Sequence, residues 1–225
     1  MTSANERSQQ RCNLKYDEYK MNRYDVSNSE GKFADGSDEE VLANKLGLSN
    51  VDDINDAELV LLEKLYQVIF EEQFPTEQIT VSLIQRWHRQ WLGNVYEWAG
   101  QLRTVNISKG GFMFAPAGRV AKLLAQFEKE HLTKYTPCTN MSREQAIEAI
   151  AIVHVELILI HPFREGNGRL SRLLADVMAV QAGFQPLDYE SWTQHPEQYI
   201  AAIHAGLNLN YDPMKYWVNE ALKEN

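Results

Sequence analysis

From Ala146 to Ile160 the chain reads AIEAIAIVHVELILI, an apolar run broken only by Glu148, His154 and Glu156. It is short of the roughly 20 apolar residues needed to span a bilayer, so it predicts a buried helix. Ser142 and Gln145 form a capping box that starts this helix, and Pro162 ends it. Helical spacing recurs in Leu59, Leu62, Leu65, Tyr66 and Ile69, predicting a helix over Asp56–Glu72 that Pro75 terminates. Leu83, Ile84, Trp87 and Trp91 predict another over Thr80–Leu92, with the tryptophans as core anchors rather than a platform for bases. Further helices are expected over 117–135, 167–182 with Gly183 as stop, 197–207 and 213–222. Ser37 followed by Glu40 resembles a capping box and predicts a helix over 38–47.

Between Gly100 and Pro116 the period changes from 3.6 to 2. Val105 and Ile107 alternate with polar residues, Gly110-Gly111 supplies a turn, and Phe112 and Phe114 alternate again, which predicts a β-hairpin. In an otherwise helical protein such a hairpin presents an open edge, suited to docking an extended peptide or to capping the core. Residues 1–36 are polar and poor in aliphatics, and read as a mobile arm ahead of one domain over 37–225.

Composition narrows the class. A chain of 225 residues with 44% apolar and 24% charged residues supports one substantial core. A net charge of −9 with no basic block argues against broad adhesion to nucleic acid or anionic membrane. The N-terminus lacks the apolar core of a signal peptide, and Cys12 and Cys138 suggest neither a disulfide framework nor a zinc site, so a cytoplasmic setting is expected.

The chemistry concentrates in HPFREGNGRLSR, His161 to Arg172. Gly166 and Gly168 let backbone N–H groups approach an anion, Asn167 adds a side-chain donor, and the following helix N-terminus supplies unpaired N–H groups. Arg169 and Arg172, one helical turn apart, can fork onto phosphate oxygens. Glu165 would repel such a ligand unless a divalent cation stood between them, which points to magnesium. His161 suits the removal of a proton from a hydroxyl near neutral pH, and its place at a helix C-terminus is expected to favour the protonated ring.

The string matches His-x-Phe-x-Asp/Glu-Gly-Asn-Gly-Arg-x-x-Arg and resembles the signature of the Fic (filamentation induced by cAMP) family. YEWAGQLRTVNISKGG, 96–111, resembles the family's Trp-Ala-Gly turn with its following Arg and hairpin, and VLANKLGL, 41–48, resembles its lead-in. The resemblance implies an all-α, mainly helical Fic fold with a short β-hairpin flap, its core at about 80–210. It implies a protein adenylyltransferase that moves AMP from ATP to a Tyr, Thr or Ser hydroxyl and releases pyrophosphate. On that reading His161 is the general base, Glu165 holds Mg2+, and Gly166, Asn167, Gly168, Arg169 and Arg172 bind the nucleotide. Phe163 anchors the turn in the core. Lys109, Gly110 and Gly111 are weaker candidates for holding a target on the flap. Tyr199 is a weaker candidate for the adenine pocket and reads more readily as a buried structural tyrosine.

The family often carries a brake helix of pattern Ser/Thr-x-x-x-Glu-Gly/Asn. Only partial matches occur here, Thr2 to Glu6 followed by Arg7 and Thr193 to Glu197 followed by Gln198. The chain is therefore expected to be constitutively competent or, the favoured reading, restrained by a separate small antitoxin protein, with toxin-like behaviour when it is missing. Alternatives are a phosphotransferase relative with ATP reversed, a non-catalytic nucleotide-responsive module, and export as an effector into a host.

Overall fold

A computed structural model describes residues 25–26 and 32–223. Its helices are α1 (Val51–Gln67), α2 (Val81–Leu92), α3 (Ala117–Phe127), α4 (Thr133–Tyr135), α5 (Arg143–Ile160), α6 (Asn167–Gln181), α7 (Glu190–Gln194), α8 (Pro196–Ala205) and α9 (Asp212–Ala221). The strands are β1 (Asp25–Val26), β2 (Ile107–Lys109) and β3 (Phe112–Met113). The fold is mainly helical, as the sequence predicts.

Helix α5 is the axis. Both halves of its capping box form: the Ser142 hydroxyl accepts from the Gln145 amide, and the Gln145 side chain accepts from Ser142 N–H. Its apolar residues from Ala146 to Ile160 pack against α6, α9, α3 and α8, so it is buried nearly all round. The polar interruption at His154 is answered internally, with ring nitrogens 2.9 Å from the Ser171 hydroxyl and 2.8 Å from that of Tyr199. Helix α6 runs back along α5, and α2 and α1 are layered outside it. Trp87 and Trp91 are buried, as core anchors should be.

Helix α1 begins five residues before the expected start because Asn50 caps it, its side-chain oxygen accepting from Asp52 and Asp53 N–H. It closes in a wide π-turn over Val68–Glu72, and α3 continues through a similar one over Glu128–Leu132. Helix α7 was not signalled by any periodicity.

The helix expected over 38–47 does not form. Asp38 and Glu39 adopt left-handed backbone (φ 48° and 64°), and the Ser37 hydroxyl donates to the carbonyls of Ala34 and Val41 instead of capping. Ala34 pairs with Val41 and Ala43 with Lys32 through the backbone, a folded-back loop that drives Val41 and Leu42 into the core. Tertiary burial of two adjacent apolar residues in this loop outweighs the local capping signal.

The hairpin forms as expected, with Ser108 opposite Met113 and Lys109 opposite Phe112. It is not two-stranded, however. Asp25–Val26, from the stretch expected to be a mobile arm, pairs antiparallel on the other side of β2, with Asp25 opposite Ser108 and Val26 opposite Ile107. One of the two edges that a guest strand could use is thus occupied by the chain itself. Residues 1–24 and 27–31 of that arm lie outside the described residues, and with them the partial brake match at Thr2–Glu6.

Candidate active site

His161 is the C-cap of α5. Pro162 cannot continue the helix, and the chain leaves through a left-handed conformation at His161 (φ 50°), uncommon for a non-glycine residue. The ring is 4% exposed, with Phe114 of the flap stacked on its face at 3.6 Å between centroids. Its Nδ1 lies 2.9 Å from the Ile158 carbonyl oxygen. A carbonyl only accepts, so the proton of the neutral ring resides on Nδ1 and the lone pair on Nε2. Burial pushes the ring's pKa down to about 3, with the Arg103 and Lys109 charges adding to the effect against the Ile158 bond. The dipole argument for a protonated ring is therefore corrected: desolvation at this helix end outweighs the partial charge.

Arg103 locks the flap to this corner. It is buried, and its guanidinium donates to four carbonyls: Nε to His161 (2.6 Å), Nη1 to Val105 (2.8 Å), and Nη2 to Ala115 and to Ile160 (3.3 Å). Its own N–H donates to Pro162. Burial lowers its pKa to about 10, which leaves it charged. In the sequence it stood out only as the Arg after Trp-Ala-Gly, with no role assigned.

The turn from Pro162 to Gly166 is held from inside. The Asn167 side chain, buried, accepts from Phe163 N–H (2.8 Å) and donates to Phe163 C=O (2.7 Å). Its amide closes the turn rather than projecting toward a ligand, and what it presents outward is the N-terminal backbone of α6. Gly166 is required twice: it has φ +81°, and a Cβ there would fall 2.7 Å from Cζ3 of Trp91. Gly168, already helical, has open space where its Cβ would be. Phe163 is buried, as expected of an anchor, and stacks at 4.0 Å on His88.

His88 is a second residue that the sequence did not single out. Its Nδ1 accepts from Gly100 N–H (2.7 Å), so Nε2 carries the proton and donates to the Glu165 carbonyl (3.1 Å). Burial holds its pKa near 4, keeping it neutral. It ties the Trp-Ala-Gly turn to the backbone of Glu165, whose partly exposed carboxylate accepts from Gly166 N–H at 2.8 Å.

The two arginines diverge. Arg169 lies over the Trp91 ring at 4.6 Å and pairs with Glu58 of α1 at 2.6 Å, with Glu165 at 3.4 Å. Arg172 sits among Tyr189 (5.1 Å), Tyr199 (5.9 Å) and Trp192 (6.0 Å). Tyr199 itself is buried, its hydroxyl on His154 and its ring stacked on Trp192. Lys109, Gly110 and Gly111 occupy the tip of the flap, and Lys109 is close enough for its charge to disfavour protonation of His161. The partial brake match at Thr193–Glu197 straddles a break, since α7 ends at Gln194 and α8 begins at Pro196.

The Fic/DOC family model matches residues 78–179, which contain both the flap and the whole of His161–Arg172. "Probable protein adenylyltransferase Fic" of Escherichia coli K12 is 30% identical over 48% of this chain and 55% of its own length. Protein adenylyltransferase fic-1 of Caenorhabditis briggsae is 31% identical over 56% of this chain and 24% of its length. The chain thus matches about half of the first relative and about a quarter of the second. Among solved structures, the BepC protein of Bartonella tribocorum with bound AMPPNP, a VirB-translocated effector, superposes with a TM-score of 0.71. It is 21% identical, and the match covers 88% of this chain and 100% of that one, a likeness of fold. The Fic domain of a Bep effector from Bartonella sp. AR 15-3 superposes with a TM-score of 0.72 at 22% identity, covering 87% and 93% of the two chains. Signature, flap and fold thus agree: residues 78–179 match the Fic/DOC family model, and the chain folds like solved Fic domains.

Proposed function

We propose that the chain is a protein adenylyltransferase that transfers AMP from ATP to a Tyr, Thr or Ser hydroxyl of another protein. The observation that carries the reading is the Nδ1 bond from His161 to Ile158, which leaves the proton-accepting lone pair of the neutral ring on Nε2, in the same short turn that opens a glycine-lined helix N-terminus. An acceptor for a hydroxyl proton and a cradle for phosphate are thus neighbours in the chain. The names of the relatives and the AMPPNP bound to BepC support the same reading.

In this reaction His161 Nε2 takes the proton of the target hydroxyl as its oxygen attacks the α-phosphorus. The bond from that phosphorus to the bridging oxygen breaks, and pyrophosphate leaves. A low pKa suits the resting state, because the ring is already neutral, and the negative charge of the triphosphate stabilises the imidazolium as it forms. The N–H groups at the start of α6 face the α- and β-phosphates, and Arg169 and Arg172 meet the outer phosphates. Glu165 would hold Mg2+ against phosphate oxygens, where the ion neutralises charge developing in the transition state. The donor set fits: one partly exposed carboxylate at the mouth of an anion turn suits a hard cation shared with phosphate. Among the described residues no cluster of three or more His, Cys, Asp or Glu offers a cage that would bind it alone. Tyr199 closes the adenine side through Trp192 and Arg172, and the flap tip at Lys109, Gly110 and Gly111 positions the target segment.

Residues 37–225 act as one unit in this reading, in a reducing compartment, either the cell's own cytoplasm or a host's. The broken Thr193–Glu197 segment supports restraint by a separate antitoxin protein. Incubation with lysate and ATP labelled on the α- or the γ-phosphate tests the reaction. Label from the α position alone, lost in His161→Ala, is the expected result. Label from the γ position would instead establish phosphate transfer, and none from either would overturn the enzymatic reading.

A further inference from the structure

Glu58 lies outside the family-matched segment, on α1, yet its carboxylate reaches the active-site arginine. It is 2% exposed, and both oxygens are engaged: Oε1 accepts from the Tyr96 hydroxyl at 2.5 Å and Oε2 from Arg169 at 2.6 Å. The Glu58 carbonyl accepts from Trp91 Nε1 at 2.8 Å, and Arg169 stacks on that same indole at 4.6 Å. The acid is therefore fixed by two elements before it meets the arginine.

Arg169 stands between two carboxylates. The second is Glu165, one helical turn back and 3.4 Å away. A pair at i,i+4 on a helix start closes readily when nothing else claims the cation. Closing it would neutralise Glu165 and occupy its oxygens. A hard divalent cation needs that same charge and those same oxygens.

We propose that Glu58 is a positioning residue: by taking the short 2.6 Å bond from Arg169 Nη2 it limits that nitrogen to a longer 3.4 Å bond with Glu165, and so keeps the Glu165 carboxylate available to the metal that accompanies the nucleotide. This rests on the adenylyltransferase reading above. It assigns Glu58 no contact with substrate: it acts by winning a competition for one guanidinium, with Trp91 and Tyr96 fixing its own place.

The test measures binding, without turnover, of an ATP analogue with a methylene between the α- and β-phosphates, by calorimetry on the full chain across a Mg2+ series. Glu58→Gln keeps the size and an oxygen acceptor but removes the charge, so Arg169 turns to Glu165. The Mg2+ concentration giving half of the metal-dependent gain in affinity should rise about fivefold or more, the span of a typical coupling between sites. Affinity without Mg2+ should stay within about twofold of wild type by the same measure. Structural damage alone would weaken both together. Should Glu58→Gln not fold, Glu58→Asp, which withdraws the charge by one methylene, must raise the Mg2+ requirement in the same direction. A folded Glu58 variant with the wild-type Mg2+ response overturns the proposal. A wild-type chain that binds no analogue at any Mg2+ concentration instead overturns the functional reading beneath it.

Discussion

His161 and Ile158 are joined by a bond, Nδ1–H to the carbonyl at 2.9 Å, at the C-terminal end of the central helix α5. That one contact selects the tautomer. It also uses a C-terminal helix carbonyl that would otherwise lack a partner. The base is therefore oriented by the element that carries it.

Replacing His161 by Ala should abolish transfer while nucleotide affinity stays within about threefold of wild type, because only the proton acceptor is lost. Single-turnover labelling together with calorimetry checks this. Labelling at the wild-type rate would refute the assignment of the base.

Phe114 covers His161, and burial is the largest cause of that ring's low pKa. Phe114→Ala should let the pKa climb from about 3 toward the ordinary 6.5. The neutral, accepting form is then lost as pH falls through the new value. The wild-type rate should show no limb at pH 6 from this group, whereas the variant should lose activity below it. Coincident pH–rate profiles would contradict the shielding role.

His88, His154 and His161 all have folded-state pKa values held at about 4, 3 and 3 by burial, against 6.5 for exposed imidazole. An unfolded chain binds more protons than the native one between these limits. Their contribution is thus present in full above pH 6.5 and is lost as pH falls toward 4. Melting temperature should drop steeply across that window. His88→Gln should flatten the drop while lowering stability at pH 7, since the Gly100 and Glu165 bonds are no longer matched. A flat profile for the wild type would contradict the three buried neutral rings.

Gly166 and Gly168 separate two roles that glycine can play. Gly166→Ala places a Cβ against Trp91 in left-handed backbone and should cost about 3 kcal/mol of stability. Gly168→Ala meets nothing and sits in a helix, so stability should hold or rise by up to about 1 kcal/mol. Nucleotide affinity should nevertheless fall if the backbone at 168 must approach phosphate. Denaturant titration and calorimetry on the same two proteins check both halves.

Arg103→Ala leaves up to four buried carbonyls without their donor and should cost at least about 3 kcal/mol. Arg103→Lys should recover only part of it, because one ammonium cannot reproduce the spread of the fork. Thermal melts of both variants decide this, and a lysine variant as stable as wild type would show that the fork is dispensable.

The helices and the signature are legible because each rests on local rules: a cap at Ser142, a breaker at Pro162, and apolar spacing in α2 and α5. The segment 38–47 was misread because its capping signal is weaker than the burial of Val41 and Leu42. Glu58 and His88 gave no signal, and Arg103 showed only as the Arg after Trp-Ala-Gly. Each serves the site across 58 residues or more of intervening chain, to His161 from Arg103, to Glu165 from His88 and to Arg169 from Glu58. Periodicity carries no information about such partners. Asn167 was placed correctly in the turn, but the destination of its side chain depends on the closure of that turn and could not be read from composition.

The third strand, Asp25–Val26, leaves this domain lopsided toward visitors. A foreign polypeptide that seeks backbone partners finds the Ile107–Ser108 flank taken, while the Phe112–Met113 rim of the hairpin, where Met113 is 65% exposed, still offers main-chain groups. A guest strand that pairs along that rim lies beside the Phe114 lid, so whatever docks there is brought alongside the covered imidazole.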